Sequence, residues 1–218
     1  MWAGVSKVAN AVVSGEAVGG GGSSLVQDTF TDTDSVLLVN HTPDVDTVGT
    51  GWILHVLTVG STNGMLITSN KAQDSVGTAT GSAYAYVIDA GQADCTITSD
   101  FFTGGTNGNL SGFSYRVSGA QDYFVAVMNT ATDELRIYEE TGGTATLRAS
   151  SDTSVPFAIS TTYALSLVLS GNSATLTVGA QSVSYSTAVR NTVTSHGLGS
   201  VSGTATDGAN WDDYEVVS

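Results

Sequence analysis

Beyond residue 25 the apolar residues recur at every second position, in many short runs. Phe113, Tyr115 and Val117 alternate with Ser114 and Arg116, and Leu135 and Ile137 with Arg136 and Tyr138. Tyr163, Leu165, Leu167 and Leu169 define one clean face; Leu176 with Val178 and Val183 with Tyr185 continue it. A period of two is the signature of strands, whose side chains alternate between faces. From Tyr123 to Met128 both faces are apolar: Tyr123, Val125 and Val127 oppose Phe124, Ala126 and Met128. That run predicts a strand buried on both sides. Between the runs stand Gly142-Gly143, Gly171-Asn172 and Gly179-Ala180, which have the backbone freedom that tight reversals need. No stretch holds a convincing helical stripe. Many short strands joined by such turns predict an all-β sandwich or barrel.

The N-terminus is organised differently. Gly19-Gly20-Gly21-Gly22-Ser23-Ser24 is a run almost without side chains, and residues 19–24 are expected to be a flexible linker. It separates an arm, residues 1–18, from a domain spanning 25–218. Trp2, Val5, Val8, Val12 and Val13 make the arm apolar, yet it is too short to bury them within itself, so it is expected to dock on a partner. Val5, Val8 and Val12 fit one helical stripe; the β-branched content fits an added strand equally well.

The charge narrows the partners. Six Lys and Arg stand against twenty Asp and Glu, a formal net charge of −14. Nucleic-acid binding depends on Lys and Arg contacts to phosphate, so it is not expected. No apolar run is long enough for a membrane-spanning helix. Val8–Val13, interrupted by Asn10, is too short for the apolar region of a secretory signal, so no export signal is expected. The single cysteine, Cys95, excludes a disulfide framework and is read as a small buried strand residue.

From Asp28 onward the order of these pieces resembles the concanavalin A-like lectin/glucanase superfamily in its laminin-G-like form. The resemblance rests on DTF (Asp28 to Phe30), LLVNHTPD (Leu37 to Asp44), the strand beginning near Trp52, the GFSYRV, DYFVAVMN and ELRIYEETGG runs, TTYALSLVLSGNSATLTV, and WDDYEV (Trp211 to Val216). It implies an all-β jelly-roll β-sandwich of two antiparallel sheets, here with an extended N-terminal arm. The first and last strands would be neighbours. It speaks for fold more than for function. In the arm, VSKVANAVV (Val5 to Val13) resembles elements that precede such domains in structural proteins of tailed bacteriophages.

Catalytic sets are missing. Glycoside hydrolysis needs two carboxyl groups facing across a bond; Glu139 with Glu140 and Asp212 with Asp213 are sequence neighbours, which a strand sends to opposite faces. These acids, and Asp32 with Asp34, are expected to be solvated. His41, His55 and His196 are scattered, with no Gly-x-Ser-x-Gly, so no serine triad is expected. His41 is expected to fix the loop after the first strand, and His55 to lie on an exposed or edge strand. Because the terminal strands should pair, Asp28 with Asp212 or Asp213 is the candidate site for a structural calcium; no other cofactor is expected. Trp52 and Trp211 are expected in the core, whereas Tyr84, Tyr86 and Tyr138 are candidates for an exposed face that stacks on carbohydrate.

These features favour a non-enzymatic accessory protein of a tailed-phage virion, a capsid decoration, head fibre or tail appendage. It would be anchored to other virion proteins by its arm, would form a homo-oligomer, and would meet host-surface glycans. The alternative is an extracellular glycan-binding lectin or adhesin module.

Overall fold

A computed structural model describes residues 22–56, 64–73, 84–105, 108, 110–151, 156–201 and 209–218. The arm, with Trp2, Val5, Val8, Val12 and Val13, lies outside the described residues. Along the chain run β1 (Ser24–Asp28), β2 (Val45–Asp46), β3 (Ile53–Val56), β4 (Leu66–Ile67), β5 (Ala72–Gln73), β6 (Tyr84–Asp89), β7 (Cys95–Phe102) and β8 (Leu110–Gly119). Then come β9 (Asp122–Asn129), β10 (Glu134–Thr141), β11 (Thr144–Ser150), β12 (Thr162–Ser170), β13 (Ser173–Val178), β14 (Gln181–Ser186), β15 (Ser195–Ser200) and β16 (Asn210–Val217). Among the described residues the only helical element is a 3-10 turn at Leu38–Asn40.

The strands form two sheets in which every pairing is antiparallel. One has the order β14-β13-β12-β7-β16-β1-β2, with β5 also paired to β16 and β4 to β5; the other is β11-β10-β9-β8-β15-β6-β3. This is the expected jelly-roll sandwich. The predicted reversals are found: Gly142-Gly143 joins β10 to β11, Gly171-Asn172 joins β12 to β13, and Gly179-Ala180 joins β13 to β14. Gly142, Gly143, Gly171 and Gly179 all take positive φ, between 54° and 81°, which a residue without Cβ adopts at no steric cost.

The first and last strands pair as expected, with Asp28 opposite Tyr214 and Gln27 opposite Glu215. Two boundaries shift. The opening strand ends at Asp28 instead of running through Phe30, and Ser24, expected in the linker, already belongs to β1. The domain is closed one residue earlier still: Ser218 N donates to Ser23 O at 3.2 Å and Ser23 N to Ser218 Oγ at 3.2 Å.

The space between the sheets is filled by Phe101, Phe113, Phe124, Leu165, Leu167, Leu176, Trp211 and Tyr214 among others. Each large apolar side chain buried there stabilises the fold by about 1.5–3 kcal/mol. Trp52 and Trp211 are both core residues, and Cys95 is buried on β7, where burial pushes its thiol up to about 12. Close approach of strands is achieved with glycine. A Cβ on Gly197 of β15 would lie 1.9 Å from the Tyr86 carbonyl oxygen, and one on Gly112 of β8 would lie 2.3 Å from that of Ala126.

Candidate functional site

The irregular segment between β1 and β3 is the part of the sandwich most shaped by polar side chains. β1 ends at Asp28, a fully buried carboxylate. Burying an ionised carboxylate is costly unless donors surround it, and three do. Phe30 N donates to Oδ1 at 2.7 Å, Trp52 Nε1 donates to Oδ2 at 2.7 Å, and His41 Nε2 lies 2.9 Å from Oδ1. The bond from Phe30 N bends the chain back over Asp28 and holds Phe30 at φ 52°, in the left-handed region. The buried Phe30 ring then packs against His41 and Trp52, with centroids 6.3 and 6.2 Å away.

His41 bridges two acids, because its Nδ1 lies 3.0 Å from Asp32 Oδ2. With a carboxylate at each ring nitrogen, both nitrogens donate and the ring is an imidazolium. Burial alone would push His41 down, but the bonds and charges of Asp32 and Asp28 outweigh it and hold the ring above the ordinary histidine value. The bond from His41 holds the Asp32 carboxyl below its ordinary value. Burial raises Asp28 despite its donors; the proton shared by this coupled pair sits on His41, which faces two acids while Asp28 already accepts two other hydrogen bonds. The expectation that His41 fixes the loop after the first strand is met.

Above this cluster opens a cleft of about 460 Å³, lined by His41, Thr42, Pro43, Asp46, Gly49, Thr50 and Gly51. One residue sets the shape of its rim. Asp46, at the end of β2, accepts from Gly49 N and Gly51 N, each at 2.8 Å, one on each carboxylate oxygen. Gly49 and Gly51 have φ of 82° and 63°, so the loop coils around the carboxylate. Asp44 braces the other side by accepting from Thr29 N at 2.8 Å and Thr29 Oγ1 at 2.7 Å. The result is a pre-shaped, polar, solvent-open concavity on a rigid base.

Other expected sites are placed differently. Tyr84 and Tyr86 are core residues, 7% and 3% exposed, and they pack edge to face with centroids 5.8 Å apart. They cannot stack on carbohydrate. The alternation read there is real, but β6 has the sandwich interior on one face and a second buried layer on the other. Tyr138 is half-buried and packs against that second layer.

The acids proposed for calcium are not brought together. Asp28 turns inward to its three donors, whereas Asp212 stands opposite Asp100 of β7 on the other side of β16 and is paired with Lys71 Nζ. Asp213, at φ 48°, sits in the bulge between Asp212 and Glu215. Burial and the charges of Asp213 and Asp212 raise the Asp100 carboxyl. Among the described residues no group of three or more His, Cys, Asp or Glu side chains is placed to hold a metal ion.

Glu139 and Glu140 do point to opposite faces, but both are buried on β10 instead of solvated. Glu139 is neutralised by Arg148 Nη2 and Arg190 Nη2, each at 2.8 Å. His196 is likewise structural. It accepts from Arg116 N at 3.1 Å and faces the Gln92 carbonyl at 3.0 Å, and complete burial pushes it down to about 4. His55 is half-buried on the edge strand β3, as expected.

No protein-family model matches the chain, and no curated protein matches it in sequence. Solved structures do resemble it. A carbohydrate-binding module, CBM66 from Bacillus subtilis, superposes with a TM-score of 0.53 at 17% identity, over 78% of this chain and 96% of that one. A Bacillus subtilis protein of unknown function with a galectin-like fold gives 0.51 at 10% identity, over 90% and 96%. The VIP36 exoplasmic/lumenal domain, in its Ca2+/Man3GlcNAc-bound form, gives 0.51 at 11% identity, over 76% and 82%. The fold is the lectin-type jelly roll. At these identities the likeness establishes architecture and assigns no residue.

Proposed function

We propose that this chain is a non-catalytic glycan-binding module that meets its ligand in the cleft between His41 and Gly51. The observation that supports this reading is the built character of that cleft. The buried Asp28, the half-buried Asp46 and a charged histidine fix a loop whose lining offers Thr42 and Thr50 hydroxyls and exposed backbone to solvent. Sugar hydroxyls are recognised by such fixed donors and acceptors, because a rigid site loses little entropy on binding. Two of the structures that resemble the chain, the carbohydrate-binding module and the mannose-glycan complex, are described by sugar binding, which favours this reading over others that the sandwich admits. The virion role rested on the acidic surface, the expected absence of an export signal and of a catalytic set, and above all the arm, residues 1–18, which lies outside the described residues; glycan binding needs only the domain.

The test is a glycan array probed with the full chain, followed by calorimetric titration of the retained sugars against wild type and Asp46→Ala. Removing the carboxylate that holds Gly49 N and Gly51 N should weaken binding by more than about tenfold, since each lost 1.4 kcal/mol is a factor of ten. The fold should be unaffected. Binding that is indifferent to Asp46→Ala would move the ligand elsewhere, and an array without retained sugars would remove the proposal.

A further inference from the structure

The seven-stranded sheet buries both of its faces. Facing the other sheet are Phe124, Ala126 and Met128; on the opposite, outer face, Ala85, Val87, Val117, Tyr123, Val125 and Val127 form a second apolar cluster. All six are at most 4% exposed in a single copy of the chain. Every described apolar residue of that cluster belongs to the sheet itself or directly follows one of its strands, as Val201 does.

The register shows a shaped surface. One row across the outer face reads Val87, Gly197, Ser114, Val125, Tyr138, and the next reads Ala85, Gly199, Gly112, Val127, Arg136. Strands β15 and β8 therefore contribute only glycine and serine in these rows, and Val87 of β6 and Val125 and Val127 of β9 stand on either side. With strands about 4.8 Å apart, the trough between β6 and β9 is about 14 Å across. That suits one helix of about 10–12 Å, or an extended segment. Cover stops short of both edges, for Ile53 on β3 and Leu147 on β11, in the same row as Val87 and Tyr138, are 46% and 48% exposed.

We propose that the chain's own N-terminal arm occupies this trough, with Trp2, Val5, Val8, Val12 and Val13 packed on the outer face of the seven-stranded sheet. Apolar content singles the arm out. Outside the described residues the remaining segments hold only Leu57, Val59, Val76 and Val155 as large apolar residues. Length and position agree. β14 and β13 face β10 and β11 across the core, so the matching strand orders put β1 and β2 over the β6 and β3 side. Between Val13, the last apolar anchor, and Ser23 the ten residues 14–23 extend to about 33 Å, enough to cross two layer spacings of about 10 Å each. Residues 2–13, about 18 Å long as a helix, fit within the roughly 27 Å length of the eight-residue β9 that walls the trough. The arm is thus a third layer of its own domain. This inference is independent of the glycan reading.

The test uses limited trypsin digestion of the full chain. Lys7 is the only Lys or Arg in residues 1–21, so cleavage after it, followed by mass spectrometry, reports the undocked arm. Docking predicts slow cleavage in wild type, unchanged on dilution. Val12→Asp/Val13→Asp, too far from Lys7 to alter the cleavage motif, should cleave more than about tenfold faster, since proteolysis tracks the open population. Val125→Thr/Val127→Thr, a near-isosteric change on the face, should accelerate cleavage in the same direction. Wild-type cleavage as fast as in Val12→Asp/Val13→Asp overturns docking. Acceleration by the arm variant but not the face variant overturns the choice of face, and protection that is lost on dilution overturns docking within one chain in favour of a second copy.

Discussion

Replacing Asp28 by alanine tests whether one buried carboxylate organises the whole β1–β3 segment. The change leaves Trp52 Nε1 and Phe30 N without their acceptor and strips His41 of one of its two acids. A hydrogen bond to a charged group contributes about 1.5–3 kcal/mol, and removing one member of a buried charge pair costs about 3–5 kcal/mol. These terms overlap, because the His41 contact belongs to both, and the desolvation cost of Asp28 itself disappears with the side chain. A net loss of about 4 kcal/mol follows. For a domain of this size each kcal/mol moves the melting temperature by about 2–4 °C, so calorimetry should show a drop of about 8–16 °C. Asp44→Ala is the internal control. Asp44 is exposed and, among the described residues, accepts hydrogen bonds from Thr29 alone, so its loss should cost about 1 kcal/mol or less. A melting temperature for Asp28→Ala within the range of Asp44→Ala would refute the view that Asp28 holds this segment together.

Two further outcomes follow from the same structure. His41 lies above its ordinary value, so its ion pairs contribute fully below the ordinary histidine range and are lost as pH rises through the folded value. Asp32 lies below its ordinary value, so its contribution is present above the ordinary Asp range and lost as pH falls through the folded value, while the raised Asp28 works in the opposite sense there. Below the ordinary histidine range His196 and His55, both held low, work in the opposite sense, so the comparison is made above it. There urea midpoints should decline towards mildly alkaline pH and His41→Gln should flatten that decline; parallel curves for the two proteins would contradict the imidazolium assignment. Gly197→Ala should destabilise by about 1–3 kcal/mol or more, because its Cβ would meet the Tyr86 carbonyl oxygen at 1.9 Å, whereas Gly119→Ala, with nothing within 4 Å, should be neutral or slightly stabilising by urea denaturation.

Local rules made the architecture legible. The glycine turns and period-two runs depend on residues close in sequence, and they fall on β8, β9, β10, β12, β13 and β14. What local rules do not contain is which face of a strand meets what. Tyr84 and Tyr86 alternate correctly with Ala85 and Val87, yet both sets are buried, since each face of β6 has a neighbour. Polar clusters were harder still. Asp28 meets His41 and Trp52, 13 and 24 residues away, only because the chain between them takes a left-handed turn at Phe30, a conformation that nothing in a phenylalanine announces. Asp212 faces Asp100 through sheet order, not sequence spacing. The one available signal was the co-occurrence of an Asp at the end of a strand with a histidine and a tryptophan in the segment that follows.

The same facts bear on how a ligand would be held. The exposed large apolar residues among those described are Leu, Val and Ile, with no aromatic ring. The cleft lining likewise holds no Phe, Tyr or Trp ring, so stacking against a sugar face, the strongest apolar contact such a module can offer, is not provided there. Recognition in the cleft would rest on hydrogen bonds to Thr42, Thr50 and backbone groups, each of which replaces a bond to water and so contributes only about 0.5–1.5 kcal/mol. Single-site affinity would be modest, and useful retention on a glycan surface would come from presenting several copies at once, where the second contact is made at high effective concentration. An arm folded back on its own sheet does not supply that multivalency, and an arm exchanged between copies would. The dilution experiment on Lys7 cleavage therefore also determines whether the apolar N-terminus closes one domain or links several.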